Sequence, residues 1–341
     1  MKTKRLFAAL MAGTMMLSMA ACSTSEDPAA AEEGGPSAEG EGGYRISMIL
    51  KTNSSEFWKV IQAGAEAYAE EHPDLISELS IKGPPSETSY QEQVNMIKTD
   101  LSDDTYDGYL IAPLQSDSVA SLIADIDRPV MAFDTDIDSD KCLAFIGTGN
   151  KNAAKEGAIA AVEAAKAAGW EEIKAIEIAG VQGDATNTAR MEGYEEGFTE
   201  AGAEWLAGDV QYADATATKA VDAMNGIMSR YPDGIAIICS NNDDMAIAAA
   251  RTAADNPAYA NTIFLGFDGQ QSACEAILAG NLTMSAAMSA AQNNFDIGYK
   301  AVENMVKCLQ GEEYSDVDTG TSIITADNAQ ERIDSFAEWL A

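Results

Sequence analysis

The sequence contains a single histidine, His72, which precedes Pro73 just beyond a stretch that ends in two glutamates. With no second histidine, a zinc site built on histidines or a Ser-His-Asp relay would depend on this one residue. His72 stands in no glycine-flanked or acidic constellation, and we interpret it as a surface residue. The sequence therefore argues against histidine-based catalysis, and we predict no catalytic residues.

Basic residues are also scarce: 21 lysines and arginines face 55 aspartates and glutamates, which gives a formal net charge of -34. The excess of acidic residues runs along the whole chain rather than in one tail. A polyphosphate backbone would be repelled by such a surface, so we predict no nucleic-acid partner. We interpret the acidity as a well-solvated surface and give it no mechanistic role.

Cysteine is infrequent, with five residues and no CxxC spacing. Three of the four in the folded part lie in apolar strand or helix patterns, where free thiols act as small apolar residues. Export would permit a disulfide, which sequence alone does not pair. We predict no metal site and no cofactor. The four are Cys142, Cys239, Cys274 and Cys308.

The first 22 residues have a basic start, an apolar segment and small residues before Cys22. This pattern is typical of an export signal. The segment Met19–Cys22 resembles the lipobox of bacterial lipoproteins, which implies a signal peptide over 1–21 and a lipid on the thiol of Cys22. Residues 22–43 include no large apolar side chain and predict a disordered tether. The resemblance implies an exported protein, lipid-anchored at the bacterial cell membrane on its extracellular face or in the periplasm.

From Tyr44 onward, short apolar runs typical of strands alternate with runs of helical periodicity, and the pattern starts again after Gly169. A chain of 341 residues exceeds what one hydrophobic core usually serves. We predict an α/β fold of two doubly wound parallel-sheet, Rossmann-like lobes. The runs are YRISMIL, LISELSI, DGYLIAP, RPVMAFD and CLAFIGT, then IKAIEIAG, EWLAGDVQ, GIAIICS, TIFLGFD and LTMSAAMS.

Polar side chains follow the predicted strands, where ligands bind in open parallel sheets. Carboxylates, amides, Arg and Lys offer paired donors and acceptors to vicinal hydroxyls, and aromatic rings cover the apolar faces of a sugar. The sequence therefore predicts a sugar-binding cleft between the lobes. Its candidate residues are Lys51, Ser55, Phe57, Trp58, Asp134, Arg190, Asn242, Asp268 and Gln292.

Several of these stretches resemble the periplasmic-binding-protein type 1 solute receptors of sugar ABC transporters, in the branch that binds ribose and allose. The resemblance covers nearly the whole exported chain. Its motifs are MILKTNSSEFW, PPSETSYQEQV, YLIAPLQ, VMAFDTD, NTARMEG, SNNDDMAIA, LGFDGQ and AAQNNFDIG.

The family's binding positions match in type and place at seven residues, and three positions depart from its pattern. The resemblance implies ligand contacts at Lys51, Trp58, Asp134, Arg190, Asn242, Asp268 and Gln292. Ser55 stands where the family usually has Asn. Ala215 replaces an aromatic residue, which should remove one stacking wall and leave room for a larger ligand. Thr135 stands where an Arg or Glu often follows the aspartate at the end of the fourth strand. The identity of the sugar therefore stays open.

The resemblance implies a monomer with three chain crossings, near Thr148, Gln292 and Thr319. The first lobe would then contain residues 44–147 and 293–319, and the second 148–292 and 320–341. A monosaccharide would bind between the lobes, which would close and dock on the permease subunits of the transporter.

Three other classes of protein could share this pattern. A dinucleotide-binding enzyme would use the turns at 147–149 or 180–183, but neither has the full GxGxxG pattern. A sugar-responsive repressor would need a basic helix-turn-helix where this chain has its export signal. A receptor for autoinducer-2 or an inositol would share the fold and a strand-end lysine and aspartate, and it stays open as the second hypothesis.

Overall fold

The computed structural model describes residues 42–288 and 293–340. Its strands are short, and four of the central ones are buried along their whole length, as expected for parallel sheets covered on both faces. The strands are β1 (Tyr44–Ile49), β2 (Ile76–Lys82), β3 (Gly108–Ile111), β4 (Val130–Phe133), β5 (Cys142–Gly147), β6 (Lys174–Ala179), β7 (Glu204–Trp205), β8 (Gln211–Tyr212), β9 (Ile237–Ser240), β10 (Ile263–Asp268), β11 (Met284–Met288), β12 (Val317–Asp318) and β13 (Thr321–Ile324).

The strands form two separate sheets. The first has the order β12-β5-β4-β3-β1-β2, and all its strand pairs are parallel. The second has the order β13-β11-β10-β9-β6-β7, with β8 also paired to β6. Its pairs are parallel except at the edge, where β13 runs antiparallel to β11. The predicted fold class, two doubly wound parallel sheets, is confirmed.

Helices cover the sheets and connect successive strands. None of those in residues 42–288 and 293–340 is long and apolar enough to span a bilayer. The helices are α1 (Glu56–Glu71), α2 (Tyr90–Leu101), α3 (Ser116–Ile123), α4 (Asn150–Ala167), α5 (Ala185–Glu200), α6 (Ala217–Arg230), α7 (Asp243–Ala253), α8 (Gln271–Leu278), α9 (Asn293–Leu309) and α10 (Ala329–Trp339), with 3₁₀ turns at Ala207–Asp209 and Pro257–Tyr259.

The sheet containing β1 and its covering helices are the first lobe below, and the sheet containing β6 and its covering helices are the second lobe. Helices α1 and α9 pack together on the first lobe, although 221 residues separate the end of one from the start of the other in the sequence. Glycines allow this close approach. A Cβ at Gly64 would overlap the carbonyl oxygen of Phe295, and one at Gly298 would overlap that of Ile61. Larger residues would push the two helices apart.

One predicted strand is wrong. The run EWLAGDVQ was predicted as a single strand, but β7 and β8 are separated by the 3₁₀ turn at Ala207–Asp209. The Asp209 carboxylate pairs with Arg230 at 2.5 Å and accepts a hydrogen bond from the hydroxyl of Tyr231. These contacts with the end of α6 bend the chain out of the sheet. The alternation of residues along a strand carries no information about contacts with residues that lie far away in the sequence.

Two passages between the lobes lie side by side. The chain leaves the first sheet after β5 and again between β12 and β13, and there the hydroxyls of Thr148 and Thr319 are 3.3 Å apart. The backbone N–H of Thr319 also donates to the carbonyl of Gly147 at 2.8 Å. The crossing predicted near Gln292 lies outside the described residues, as do the signal peptide, Cys22 and the tether as far as residue 41. The lobe boundaries remain predictions.

Candidate functional site

The ends of β1 and β4 form the first lobe's wall of a cleft. Lys51 lies two residues beyond β1, and Asp134 directly follows β4 in a left-handed backbone conformation with φ of 59°. Aspartate tolerates this conformation better than most residues with a side chain. Phe57 and Trp58, in the first turn of α1, meet edge to face with ring centroids 5.3 Å apart. A cation, a carboxylate and two rings thus share one wall.

Arg190 on α5 is the centre of the second lobe's wall. Its Nε donates to Oδ1 of Asn150 at 2.8 Å, and its Nη1 donates to the carbonyl of Asn241 at 2.6 Å. The guanidinium also lies 3.6 Å from the ring centroid of Phe267 and forms an ion pair with Asp268 at 3.4 Å. Contacts on so many sides fix the orientation of a side chain that is otherwise long and flexible.

Asp268, the last residue of β10, has an unusual backbone conformation with φ of 113°. A residue with a side chain adopts this conformation only when its surroundings impose it. The amide of Gln270 donates to the Asp268 carboxylate at 3.3 Å, alongside the ion pair with Arg190. The carboxylate is therefore held at the strand end, facing the cleft rather than the following turn.

The two lobes touch each other across this cleft. Nζ of Lys51 in the first lobe lies 2.5 Å from Oδ2 of Asp184 in the second, and 3.9 Å from Oδ2 of Asp134. Beside this pair, the hydroxyls of Thr135 and Thr186 are 2.8 Å apart and form a second bond between the lobes. The structure is thus a closed arrangement, in which polar groups of both lobes are removed from water.

Burial and charge shift the acidity of these groups. Burial alone would lower the pKa of Lys51, but the carboxylates of Asp184, Asp134 and Glu87 outweigh it and raise that pKa. Burial raises the pKa of Asp134 and of Glu87, against the opposing effect of Lys51, and raises the pKa of Asp268 well above its ordinary range. Donors from a ligand would relieve the desolvation of these carboxylates.

Eight of the nine predicted residues line this one cleft: Lys51, Ser55, Phe57, Trp58, Asp134, Arg190, Asn242 and Asp268. The ninth, Gln292, lies outside the described residues. Asn242 also has a structural task, because its Oδ1 accepts the N–H of Met245 at 2.9 Å as the N-cap of α7. Its Nδ2 donates to the carbonyl of Ala215 at 3.2 Å. Ligand contacts at the nine positions remain predictions.

The prediction missed other polar residues of the cleft wall, namely Thr52, Ser54, Ser86, Glu87, Asp184, Thr186, Thr216, Asn241, Asp244 and Gln270. Several follow strands that had already contributed a candidate: Asn241 directly follows β9 and Gln270 lies two residues beyond β10. Ligands bind at the carboxyl ends of the strands, and counting every polar residue that follows a strand as a candidate would have included Asn241 and Gln270. Glu87 precedes α2 by three residues and lies near Lys51 only through tertiary packing.

Two departures from the family pattern lie in the wall. Ser55 is the half-buried N-cap of α1 and makes no side-chain capping bond, so its hydroxyl can face a ligand. Ala215 has a left-handed φ of 57° directly after Asp214, which has a φ of 49°. Its methyl group lines the cleft where the resemblance implies an aromatic ring. The second lobe therefore offers less apolar stacking surface than the first.

Two doubly wound lobes that close over a polar cleft at their strand ends define the class of two-lobed, type 1 solute-binding proteins. Within residues 42–288 and 293–340, no group of three or more His, Cys, Asp or Glu side chains could hold a metal ion. The cleft has a volume of about 220 Å³.

Comparison with known proteins gives the family. A family model described as a periplasmic binding protein domain matches residues 46–313, and the chain belongs to this family. It is 31% identical over 270 residues to the D-allose-binding periplasmic protein of Escherichia coli K12, covering 76% of this chain and 83% of that protein. It is 28% identical over 272 residues to the ribose import binding protein RbsB of Salmonella typhimurium, covering 79% and 86%.

The fold is also found among solved structures. A carbohydrate transporter solute-binding protein from Agrobacterium radiobacter, in complex with D-arabinose, superposes with a TM-score of 0.76. Its sequence is 22% identical, and the match covers 86% of this chain and 98% of that one. This likeness agrees with the two-lobed architecture described above.

Proposed function

We propose that the protein is the solute-binding component of an ABC importer and binds one neutral monosaccharide, of the ribose and allose class, between its lobes. The observation that carries the proposal is the cleft itself, where buried charged groups of both lobes meet beside Phe57 and Trp58. Charged donors and acceptors recognise hydroxyls strongly and aromatic rings cover C–H faces. The names of the allose- and ribose-binding relatives support the same class of ligand.

The size of the cleft favours a single sugar ring. Its volume of about 220 Å³ lies below the roughly 300–1,000 Å³ of pockets that take drug-sized ligands. The small Ala215 adds some room at one side, so pentoses and hexoses both belong in the set to be tested. A disaccharide would require the lobes to stay apart.

The charge balance favours a neutral ligand over an acidic one. Lys51 is already paired with Asp184, and Arg190 with Asp268. Three further carboxylates line the wall: Asp134, Glu87 and Asp244. An added carboxylate or phosphate would face this excess of negative charge without a free cation in the described wall. Sugar acids and sugar phosphates should therefore be rejected.

The proposed mechanism is reversible capture. A sugar that contacts both walls binds the closed arrangement better than an open one and so shifts the population towards closure. The closed lobes then dock on the permease subunits, which receive the sugar unchanged. We propose that the monomeric protein is exported and held at the membrane by a lipid on Cys22, with residues 22–43 as the tether, and that no turnover accompanies binding.

The test is a thermal-shift screen of the purified protein against pentoses, hexoses, inositols and autoinducer-2. A ligand at 100 times its dissociation constant adds about 2.7 kcal/mol of stability, which a melting curve resolves. We expect a shift with a neutral monosaccharide and none with its uronic acid or its phosphate. A shift only with autoinducer-2 or an inositol would replace the sugar with that ligand. Chemical conversion of the bound sugar would overturn the transport role.

A further inference from the structure

Asp184 has two separate tasks, one for each carboxylate oxygen. It is the N-cap of α5, where Oδ1 accepts the backbone N–H of Asn187 at 2.7 Å. The other oxygen, Oδ2, accepts a hydrogen bond from Nζ of Lys51 at 2.5 Å. The cap is local to the second lobe, whereas the bond to Lys51 crosses the cleft. The first task exists whether the lobes are open or closed, and the second only when they are closed.

The ion pair lies in a buried setting. The side chains of Lys51 and Asp184 are 5% and 8% exposed. A buried charge that loses its partner is strongly destabilised, so Lys51 in the closed protein depends on carboxylates close by. Asp134 belongs to the same lobe as Lys51, but its carboxylate is 3.9 Å away, beyond hydrogen-bonding distance. The hydrogen bond that fixes the ammonium group therefore comes from Asp184.

The position of Lys51 matters because its Nζ is one of the candidate contacts of the sugar. An ammonium group has three donors, and the bond to Asp184 uses one of them. The same bond fixes the direction of the other two, which can then point at ligand hydroxyls. Lysine is a flexible point charge and does not orient itself as an arginine fork does. Its geometry must come from a neighbour.

We propose that Asp184 is the positioning residue of the cleft: it holds Lys51 across the lobes and so couples the placement of the ligand to closure. This inference rests on the proposed sugar-binding function. Asp184 is absent from the site predicted from the sequence. Its proposed role is to hold Lys51 in place, and it need not contact the sugar itself. Because the bond forms only on closure, it also raises the closed population before ligand binds, and apparent affinity scales with that population.

The substitution that isolates this role is Asp184→Ser. A serine keeps a side-chain oxygen for the N-cap of α5 but is too short and uncharged to hold Lys51. Lys51→Met removes the other partner while keeping most of the length of the side chain. Glu196→Gln is the matched control, since it breaks a Lys–Glu pair of 2.8 Å to Lys155 on the second lobe's surface. Each of these three single variants loses one charge.

Titration calorimetry measures the sugar affinity of the wild type, of the three single variants and of the Lys51→Met, Asp184→Ser double variant. Small-angle X-ray scattering measures their radii of gyration without sugar. We expect Asp184→Ser to weaken sugar binding tenfold or more and to increase the radius of gyration, with Glu196→Gln unchanged. The double variant should bind no more weakly than Lys51→Met alone, because Asp184 acts through Lys51.

Two results would overturn the proposal. One is an affinity of Asp184→Ser within twofold of the wild type. The other is a double variant whose loss equals the product of the single losses, which would make Asp184 an independent ligand contact. If the wild-type protein binds none of the sugars, the proposed function fails. In that case the scattering data alone test the bond between the lobes: equal radii of gyration for the wild type and Asp184→Ser would refute it.

Discussion

Asp134 provides a test in which ligand binding and stability should respond in opposite directions. We consider Asp134→Asn, which keeps the shape of the side chain and removes its charge. Asp134 is 4% exposed, and burial raises the pKa of its carboxyl group despite the nearby Lys51 and Arg190. A raised pKa means that the folded state disfavours the charged form. Its destabilising effect is absent at a pH below the ordinary value of 3.8, grows as the pH rises from there to the raised value, and is complete above the raised value.

The expected loss in binding follows from the hydrogen bonds of the carboxylate. A hydrogen bond to a charged group contributes about 1.5–3 kcal/mol, and the Asp134 Oδ2 already accepts one from the hydroxyl of Thr135 at 2.8 Å. Loss of one strong bond to a ligand hydroxyl, at the upper end of that range, weakens binding by roughly 100-fold. Asparagine can replace only part of this, because its amide nitrogen is a donor where an acceptor is needed.

The assay measures melting temperature without sugar and affinity with it, by scanning calorimetry and titration calorimetry. We expect Asp134→Asn to melt at the wild-type temperature or slightly above it at pH 7, and to bind roughly 100-fold more weakly. Asp138→Asn, at an exposed position of the same loop, is the control and should change neither value. Affinity within a few-fold of the wild type would remove Asp134 from the site. A melting temperature lower by several degrees would show that the buried charge of Asp134 does not destabilise the folded protein.

Three further predictions concern burial, packing and ligand charge. Glu177 is fully buried with no hydrogen-bond partner for either oxygen among the described residues, and burial raises its pKa from 4.5 to about 8. The stability of the wild type should therefore fall as the pH rises from 4.5 through 8, and melting curves of Glu177→Gln should show a weaker fall. Gly64→Ala should lower the free energy of unfolding by about 1–3 kcal/mol, because the added methyl group overlaps Phe295. Gly226 lies on an exposed face of α6 with open space around it, so Gly226→Ala should raise the free energy of unfolding by about 0.5–1 kcal/mol. Urea unfolding measures both values. Finally, a uronic acid should bind at least 100-fold more weakly than its parent sugar, and equal affinities by titration calorimetry would refute the charge argument.

The two walls of the proposed site differ in the apolar surface that they offer to a sugar, which leaves the identity of the sugar open. The first lobe retains its two rings, Phe57 and Trp58, while the second lobe offers the methyl group of Ala215. Selectivity would then rest on polar groups more than on stacking between two rings. Buried polar partners left unpaired by a wrong epimer cost about 1–3 kcal/mol each, so a cleft of this kind can still discriminate closely related sugars.

The order of strands and helices was encoded locally and could be read from the sequence. Apolar runs such as GYLI in β3 and VMAF in β4 predict buried parallel strands because no polar face interrupts them. In the helix α9, buried apolar residues such as Ile297, Ala301 and Met305 recur at helical spacing. The strand-end rule then brought Lys51 and Asp134 to one wall of the cleft, because the carboxyl ends of parallel strands share one edge of a sheet, and it placed Asp268 at the corresponding edge of the second sheet.

Contacts between segments far apart in the sequence were decided only by the tertiary structure. The bond between Lys51 and Asp184 joins residues 133 positions apart, and neither residue alone signals the other. The bend of the chain at Asp209 depends in the same way on Arg230 and Tyr231. Periodicity fixes which residues are buried and which end of a strand carries polar groups, since these are properties of a few neighbouring residues. Which of those polar groups pair across the cleft depends on how two separately folded sheets meet, and that is a property of the whole chain.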